Sequence, residues 1–389
     1  MTSAIASTNS LLTEADQCRF SRLMNAYPFR DGGFDHWLTT PLAVIGAGML
    51  GARLCEEAVL AGASVVVFDP DIGELPNLGN QRCQPGVFKA LSLQARCEAI
   101  RSGHLTAVCR DVRHADLRQL RDCALWFDCT DDANLAWPLT EASNGLGSYL
   151  LRCAVDGTGQ SEMGRVMCSA GGRGHACQCC SYSLEDVLRQ RRRTPCLAGP
   201  AAEGPPTLAG GAIAAGTVGL ALSLAQRLIA GKDLDRILNR EFILDWTNFQ
   251  MLAVRVNRCE RCLTGHRTWD LMDLDFTAAD GTLADVFAAA GASPEIDLEA
   301  YLHPLNVQAA CRCGEVVAAV GTDWADPPLC PTCASRLTWM PEMQIDRVTR
   351  LQAEAWEIQD VPLATLGVPE GGMFVVRGPG RPVRRLLLR

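Results

Sequence analysis

The run Leu-Ala-Val-Ile-Gly-Ala-Gly-Met-Leu-Gly occupies residues 42–51, and Ser-Val-Val-Val-Phe-Asp-Pro-Asp occupies residues 64–71. The two apolar runs predict buried parallel strands, and the chain between the last glycine and the second run has the length of one helix. This order of strand, glycine turn, helix and strand is typical of a nucleotide-binding unit. Because such units occur in open parallel sheets, we expect an α/β fold with a doubly wound, mostly parallel sheet.

The glycines and the acid of this unit have specific expected roles. Gly46, Gly48 and Gly51 let the backbone approach a phosphate at a helix N-terminus, and Asp69 has the place of the acid that binds ribose hydroxyls. The same glycines would also serve close packing of a helix on a sheet. The pattern is shared with nicotinamide dehydrogenases, so it does not define the reaction by itself.

Lys89 and Asp131 favour ATP chemistry over hydride transfer. Lys89 lies after a glycine turn, and Asp131 follows the apolar strand at residues 125–127. An enzyme that cleaves ATP between the α- and β-phosphates needs a cation and a magnesium ligand beside them, whereas hydride transfer needs neither. The structural alternatives are an exposed helix lysine and an aspartate that caps the next helix.

Composition describes an ordinary soluble protein. The chain has 389 residues, 48% hydrophobic and 21% charged, with a formal charge of −8 and a pI near 5.4. This charge argues against nucleic acid or anionic membrane as the main partner. The first residues lack the pattern of a signal peptide, so we expect a cytoplasmic protein. The uncharged stretch at 204–226 is long enough for a membrane span, but we interpret it as a buried helix.

Cysteine spacing predicts zinc. Many of the nineteen cysteines form close pairs, which in a cytosolic protein indicates thiolate metal sites rather than disulfides. Near the C-terminus, Cys311 and Cys313 precede a strand-length segment and then Cys330 and Cys333, as in a zinc ribbon. We therefore expect three regions: an N-terminal segment 1–40, a nucleotide domain 41–268, and a zinc-ribbon module 269–389.

From residue 19 to residue 262 the sequence resembles the ubiquitin-activating enzyme-like adenylyltransferases of the ThiF, MoeB and HesA type. Besides the nucleotide motifs, Arg19-Phe-Ser-Arg22 is similar to the family's Arg-Tyr-x-Arg opening. Two Cys-x-x-Cys pairs stand where the family has a tetrathiolate zinc site. That resemblance implies zinc ligands at Cys177, Cys180, Cys259 and Cys262, with His266 and His175 as reserve ligands that the count does not require.

The resemblance also implies site roles. Arg22 would reach the ATP of the partner subunit in a homodimer. Cys196, which lies close in sequence to Arg189 and residues 191–193, would accept the acyl group as a thioester. The alternatives are that Cys196 is a buried, inert cysteine and that the arginines belong to a solvated basic loop. MgATP would be bound by Lys89, Asp131 and the three glycines. The further nucleotide-binding residues implied are Asp69, Asp71, Asn77, Asn80, Gln81 and Arg82.

Two departures from the family pattern concern positive charge. Asn80 stands where the family has an arginine, and Ala136 stands where a second arginine is expected. Missing cations would weaken phosphate stabilisation by a few kcal/mol. Arg82 would compensate for the first if its loop were shifted by a residue or two.

The expected reaction is adenylation of the C-terminal glycine of a ubiquitin-like protein, followed by transfer to Cys196 and to a conjugating enzyme. The layout is similar to bacterial ubiquitin-like conjugation systems, some of which act in phage defence. Activation of a sulfur-carrier protein and adenylation of a short peptide are the enzyme alternatives. A catalytically silent dimeric scaffold is the alternative from another class, but it would have no use for Arg22, Lys89 and Asp131 together.

Overall fold

A large sheet of eight strands forms the centre of the protein in a computed structural model. The structure describes residues 12–156, 159–172, 174–181, 209–262, 264–291, 293, 295–380 and 382–389. The helices of these ranges are α1 (Glu14–Met24), α2 (Phe34–Thr39), α3 (Met49–Leu60), α4 (Lys89–Ile100), α5 (Leu117–Arg121), α6 (Ala136–Leu146), α7 (Gly211–Ile229), α8 (Leu234–Ile237), α9 (Leu283–Ala290) and α10 (Arg350–Ala355).

The strands fall into three sheets. The large sheet contains β1 (Leu42–Ile45), β2 (Val65–Phe68), β3 (Leu105–Val108), β4 (Leu125–Asp128), β5 (Tyr149–Val155), β6 (Met163–Ala170), β7 (Arg240–Asp245) and β8 (Gln250–Arg255), in the order β3-β2-β1-β4-β5-β6-β7-β8. The C-terminal sheets contain β9 (Leu271–Asp273), β10 (Asp297–Ala300), β11 (Leu305–Ala310), β12 (Val316–Gly321), β13 (Thr338–Trp339), β14 (Gln344–Ile345), β15 (Val348–Thr349), β16 (Met373–Arg377) and β17 (Arg384–Leu387).

The first five strands of the large sheet are parallel, and β6, β7 and β8 continue it antiparallel. All four residues of β1 are buried because helices or a second sheet cover both faces. The chain turns back after β3 to place β4 on the other side of β1. This reversal opens a crevice at the carboxyl ends of β1 and β4. The predicted α/β class is confirmed.

One face of the large sheet is covered by helices α3, α4 and α7, whose apolar residues share a core with Leu42 and Val44. Helix α7 is the helix expected within the uncharged stretch at 204–226, and it continues to Ile229. It is the one helix of the described ranges that is long and apolar enough to cross a membrane. Its buried residues, such as Ala214, Val218 and Ala221, pack in this core. A core helix of a soluble protein gives the same apolar signal.

The opposite face carries α5 and α6 together with the C-terminal unit. Tyr301, Met373, Val375 and Leu387 join one apolar cluster with residues of the large sheet such as Trp126. The five-stranded sheet, in the order β15-β10-β16-β17-β9, therefore packs against the nucleotide-binding part of the chain. Arg121 also forms an ion pair with Asp273 at 2.6 Å. The C-terminal unit thus shares a hydrophobic core with the large eight-stranded sheet.

A third small sheet pairs β11 with β12, β13 and β14. It carries the second set of paired cysteines at its turns. The described cysteines are all free thiols, so no disulfide links the described parts of the chain. This agrees with the interpretation of the paired cysteines as metal ligands.

Candidate functional site

A cavity of about 570 Å³ lies at the carboxyl ends of the parallel strands. The turn after β1, the ends of β2 and β5, and the loop after β4 contribute to its wall. Ligands of open α/β sheets bind in this position. Its lining holds five carboxylates, from Asp69, Asp71, Asp111, Asp131 and Asp132, and three cations, from Lys89, Arg113 and Arg152. A bound triphosphate would need a divalent cation to offset the excess negative charge.

The glycine turn is built for close approach. Gly46 has a φ of +93°, which an L side chain rarely adopts. A Cβ on Gly51 would lie 1.8 Å from the Gly46 carbonyl oxygen, so α3 packs directly on the turn. Gly48 differs, because the nearest atom to its missing Cβ is the Gln81 amide nitrogen at 4.0 Å. The protein's own packing does not require glycine at 48, and the open space suits a phosphate.

Asp69 holds the turn from the end of β2. Its Oδ2 accepts a hydrogen bond from the Ala47 amide at 2.6 Å, and its Oδ1 accepts one from the Asp71 amide at 2.8 Å. Burial raises the pKa of Asp69, and these two hydrogen bonds offset part of that rise. The side chain lies in the cavity wall beside Gly46, as the expected ribose-binding role requires.

Lys89 opens α4 and reaches the cavity. Its Nζ lies 2.9 Å from Asp71 Oδ2, and the Lys89 side chain is only 12% exposed. Burial lowers the pKa of Lys89, but the hydrogen bond and charge of Asp71 outweigh this effect and leave the pKa raised. Lys89 is therefore a cation at neutral pH, positioned beside the glycine turn.

Asp131 follows β4 and lines the cavity. The hydrogen bond expected of a helix cap is made by its neighbour, because Asp132 Oδ1 accepts from the Asn134 amide at 2.8 Å. Asp131 shows no hydrogen bond or ion pair within the described part of the chain. Carboxylates are preferred magnesium ligands, so Asp131 and Asp132 fit a Mg²⁺ site at this edge.

Only some of the predicted residues in the loop after β2 line the cavity. Asn80 and Gln81 line it, and the buried Gln81 Oε1 has no hydrogen-bond partner among the described residues. Asn77 instead accepts a hydrogen bond from the Glu74 amide at 2.9 Å and stays outside the lining. Arg82 pairs with Glu56 at 3.6 Å and its side chain is 76% exposed. The compensation expected from Arg82 is not seen in this structure.

Arg113 and Arg152 line the cavity and were not predicted from the sequence. Arg113 lies in the loop after β3, with its guanidinium against Asp111 and Asp132. Arg152 lies on β5 directly beside the fully buried Asp128 of β4, at 3.7 Å. They bring positive charge to a cavity that has Asn80 in place of an expected arginine, whereas Ala136 is buried outside the lining. A charged residue inside the otherwise apolar run of β5 was the one signal in the sequence.

Two predicted catalytic residues, Arg22 and Cys196, are not among the residues that line the cavity. Arg22 is exposed on α1, as a residue offered to a partner subunit would be. Cys196, with Arg189 and residues 191–193, lies outside the described residues. The loop that would bring the thiol to the acyl group is therefore outside the described geometry.

The first cysteine cluster gathers Cys177, Cys180, Cys262 and His266, whose ligand atoms all lie within 4.8 Å of one another. The Cys177 and Cys262 sulfurs are 3.6 Å apart, and His266 Nε2 lies 3.2 Å from the Cys180 sulfur. The Cys259 thiol is not in this group, although its amide donates to the Cys180 sulfur at 3.3 Å. Three thiols and an imidazole fit tetrahedral zinc, with the histidine in the place expected for Cys259.

The second cluster contains all four predicted ligands, Cys311, Cys313, Cys330 and Cys333, within the same 4.8 Å limit. The Cys311 and Cys333 sulfurs are 3.4 Å apart, and the Cys313 and Cys330 sulfurs are 3.6 Å apart. Hydrogen bonds from Ser335 lower the pKa of Cys333 to about 6. A set of four sulfurs at two turns of a small sheet fits a closed, structural zinc site.

Comparison with known proteins agrees with this geometry. Crystal structures of E. coli MccB superpose with TM-scores of 0.52 with AMPCPP and MccA and 0.51 with ATP, at 14% and 12% identity. Each covers 67% of this chain and about three quarters of MccB, at 76% and 75%. PaaA superposes with a TM-score of 0.50 at 15% identity, over 66% of this chain and 79% of its own. These likenesses show a shared fold.

No curated protein sequence matches the chain. The model of the ThiF family, in contrast, matches residues 20–264. The match covers more than half of the chain and includes the glycine turn, Lys89, Asp131 and the three cysteines of the first cluster, while His266 lies just beyond it. The resemblance expected from the sequence is confirmed: the chain belongs to the ThiF family and is an enzyme of the adenylyltransferase type.

Proposed function

We propose that the protein adenylates the C-terminal carboxylate of a protein or peptide in the cytoplasm, using ATP bound in the cavity at the glycine turn. The observation that carries this proposal is the open space at Gly48, which faces Asp69, Lys89 and Asp131 across one cavity. A glycine without an internal packing role, beside a lysine and a pair of aspartates, fits a triphosphate with its metal ion.

In the proposed reaction a carboxylate oxygen of the substrate attacks the α-phosphorus of ATP. The bond from the α-phosphorus to the oxygen bridging to the β-phosphorus breaks, and pyrophosphate leaves with that oxygen. Lys89 stabilises the negative charge that develops on the phosphates, and Arg22 of a second subunit contributes in a homodimer. Asp131 and Asp132 would hold Mg²⁺, which neutralises charge on the leaving group.

The first candidate substrate is the C-terminal glycine of a ubiquitin-like protein, which the family membership supports. The Cys196 thiolate would then attack the acyl carbon of the adenylate, with AMP as the leaving group. The thioester would pass to a conjugating enzyme, and the C-terminal zinc ribbon offers a docking module for either protein. A role in a bacterial defence pathway belongs to this candidate. A sulfur-carrier protein would share the adenylation step and diverge after it.

The second candidate substrate is a short peptide, and a specific observation favours it. Several solved structures that share the fold are of MccB with MccA, including an N-formylated MccA. For this candidate the acyl adenylate is the product or passes to another nucleophile, and Cys196 is not needed for acyl transfer.

The test is ATP–pyrophosphate exchange with purified protein and candidate substrates of both kinds. We expect Lys89→Ala and Asp131→Ala to lose exchange and Cys196→Ala to keep it. Lys232→Ala is the matched control, since Lys232 pairs with Asp31 away from the cavity. Exchange that survives Lys89→Ala, or that is absent with every candidate while zinc is bound, would favour the silent scaffold. Thioester detected only with wild-type Cys196 would select the ubiquitin-like candidate.

A further inference from the structure

A short segment, residues 111–114, lies between the nucleotide cavity and the C-terminal unit. Asp111, Val112 and Arg113 line the cavity from one side. Asp111 caps the turn by accepting a hydrogen bond from the Arg113 amide at 2.8 Å. His114 points the other way, toward residues of the C-terminal unit. The segment therefore connects two parts of the molecule that are far apart in sequence.

On the cavity side, Arg113 joins two loops. Its Nε donates to Asp111 Oδ1 at 2.9 Å, and its Nη2 lies 3.7 Å from Asp132 Oδ2. Asp111 follows β3 and Asp132 follows β4, and these strands are separated in the sheet by β2 and β1. The Arg113 side chain therefore spans the carboxyl ends of β1 and β2, which are followed by the glycine turn and Asp69.

On the side away from the cavity, residues of the C-terminal unit contact the same segment, 111–114. The His114 ring packs against Trp324 with centroids 4.5 Å apart and meets the His303 ring edge-on at 5.7 Å. His303 is buried and hydrogen-bonds to the backbone of Arg113, and His114 bonds to the backbone of Gly367. Burial lowers the pKa of His303 to about 3, so the ring is neutral at physiological pH.

We infer that the C-terminal unit is part of the nucleotide site, because His303 and Trp324 fix the segment 111–114 and thereby hold Arg113 in position against the bound nucleotide. Arg113 is a nucleotide-binding residue, and His303 and Trp324 are positioning residues that act through it. The inference rests on the proposed function, since it requires ATP in this cavity. It also assigns a role to a cation in a cavity that has Asn80 where an arginine was expected.

The geometry gives the expected size of each effect. A hydrogen bond or close contact to a charged group contributes about 1.5–3 kcal/mol, so losing Arg113 should weaken nucleotide binding by at least about tenfold. Trp324 acts only through the segment, and its loss should weaken binding about threefold. Trp324 is 48% exposed, so replacing it leaves the apolar core of the C-terminal unit intact.

The experiment measures the affinity of full-length protein for AMPCPP with Mg²⁺ by calorimetry. The variants are Arg113→Gln, Trp324→Ala and the control Trp356→Ala, which removes a half-buried tryptophan that packs on the core of the same unit. We expect weaker binding for the first two and wild-type affinity for the control, with unchanged zinc content in all three. A variant that only loosened the fold would lower the melting temperature, as we expect for the control, and leave the affinity of the folded protein unchanged.

Two results are distinguishable. If the wild-type protein does not bind AMPCPP, the proposed function fails. If the wild-type protein binds and either Arg113→Gln or Trp324→Ala binds equally well, the proposed function stands and the role of the C-terminal unit is overturned.

Discussion

Replacing Arg152 by glutamine should destabilise the protein in a way that depends on pH. Asp128 is completely buried at the end of β4, and its Oδ1 accepts from the Thr130 amide at 3.1 Å and the Thr130 hydroxyl at 2.7 Å. Its Oδ2 has no hydrogen-bond partner among the described residues and lies 3.7 Å from Arg152 Nε. Arg152→Gln therefore leaves a buried carboxylate without its positively charged partner.

Removing one partner of a buried ion pair costs about 3–5 kcal/mol, and leaving a buried polar group unsatisfied costs about 1–3 kcal/mol. The Arg152 side chain is 17% exposed, and the separation is longer than a hydrogen bond. We therefore expect a loss of about 2–3 kcal/mol in the free energy of unfolding at neutral pH.

The sign of the pH dependence follows from the Asp128 carboxyl. Burial raises the pKa of Asp128, and Arg152 offsets part of that rise. A buried acid with a raised pKa costs no stability below its unfolded pKa of about 4, and its full cost is present above the folded pKa. Removing Arg152 raises the pKa further. The deficit of Arg152→Gln should thus be small in acid and grow as the pH rises.

The assay is urea unfolding, measured from below the unfolded pKa of about 4 up to neutral pH. The double variant Asp128→Asn with Arg152→Gln should recover most of the loss, because no buried charge remains. Arg165→Gln is the control, since Arg165 is 51% exposed and pairs with Glu241 at 3.6 Å. We expect it to cost less than about 1 kcal/mol. A deficit that did not change with pH, or that Asp128→Asn did not relieve, would refute the reasoning.

Three further predictions concern the metal clusters, the glycine turn and the C-terminal unit. His266→Ala should remove the zinc of the first cluster while Cys259→Ser retains it, as elemental analysis of the purified proteins would show; the reverse result would restore the tetrathiolate. Gly51→Ala should destabilise the fold by about 3 kcal/mol, because its Cβ would lie 1.8 Å from a carbonyl oxygen. Gly48→Ala, with open space around it, should fold normally and bind AMPCPP weakly; melting curves and calorimetry separate the two. A chain ending at residue 268 should aggregate and bind a hydrophobic dye, because the sheet face covered by the C-terminal unit becomes exposed; a soluble, dye-silent fragment would contradict this.

The nucleotide unit could be predicted from the sequence because its signals are local. Four-residue apolar runs, a glycine turn and an acid at the next strand end all lie within residues 42–71. The helix expected after Gly51 begins earlier than predicted, at Met49, so Gly51 lies in its first turn. Lys89 was predicted from its place after the glycine turn at Gly86, and Asp131 from its place after the strand at 125–127.

Arg113 and Arg152 could not be predicted in the same way. Arg152 reaches its partner through the register of β5 against β4, which pairs Asp128 with Arg152 across more than twenty positions of sequence. Arg113 meets Asp132 only because β3 and β4 lie on opposite sides of β1 and β2. Long-range geometry of this kind leaves no periodic signal in a single sequence.

The position of His266 illustrates the same limit on a smaller scale. The sequence indicated a histidine near the second Cys-x-x-Cys pair as a reserve ligand. His266 has a φ of +48°, so the turn after Cys262 curls back toward Cys180. The spacing of the cysteines alone favours Cys259, and only the course of the backbone brings the imidazole into the group.

The shared core of the two units constrains how the protein is made. Ala43 and Ile45 of the first strand lie in one cluster with Met373, Val375 and Leu387, which follow more than three hundred positions later in the sequence. A ribosome must therefore translate past residue 387 before the first strand is covered on both sides. Contacts over such sequence distances close late and slowly. Until those residues have been made, the nascent chain exposes part of one apolar sheet face, so we expect it to bind chaperones at the ribosome exit.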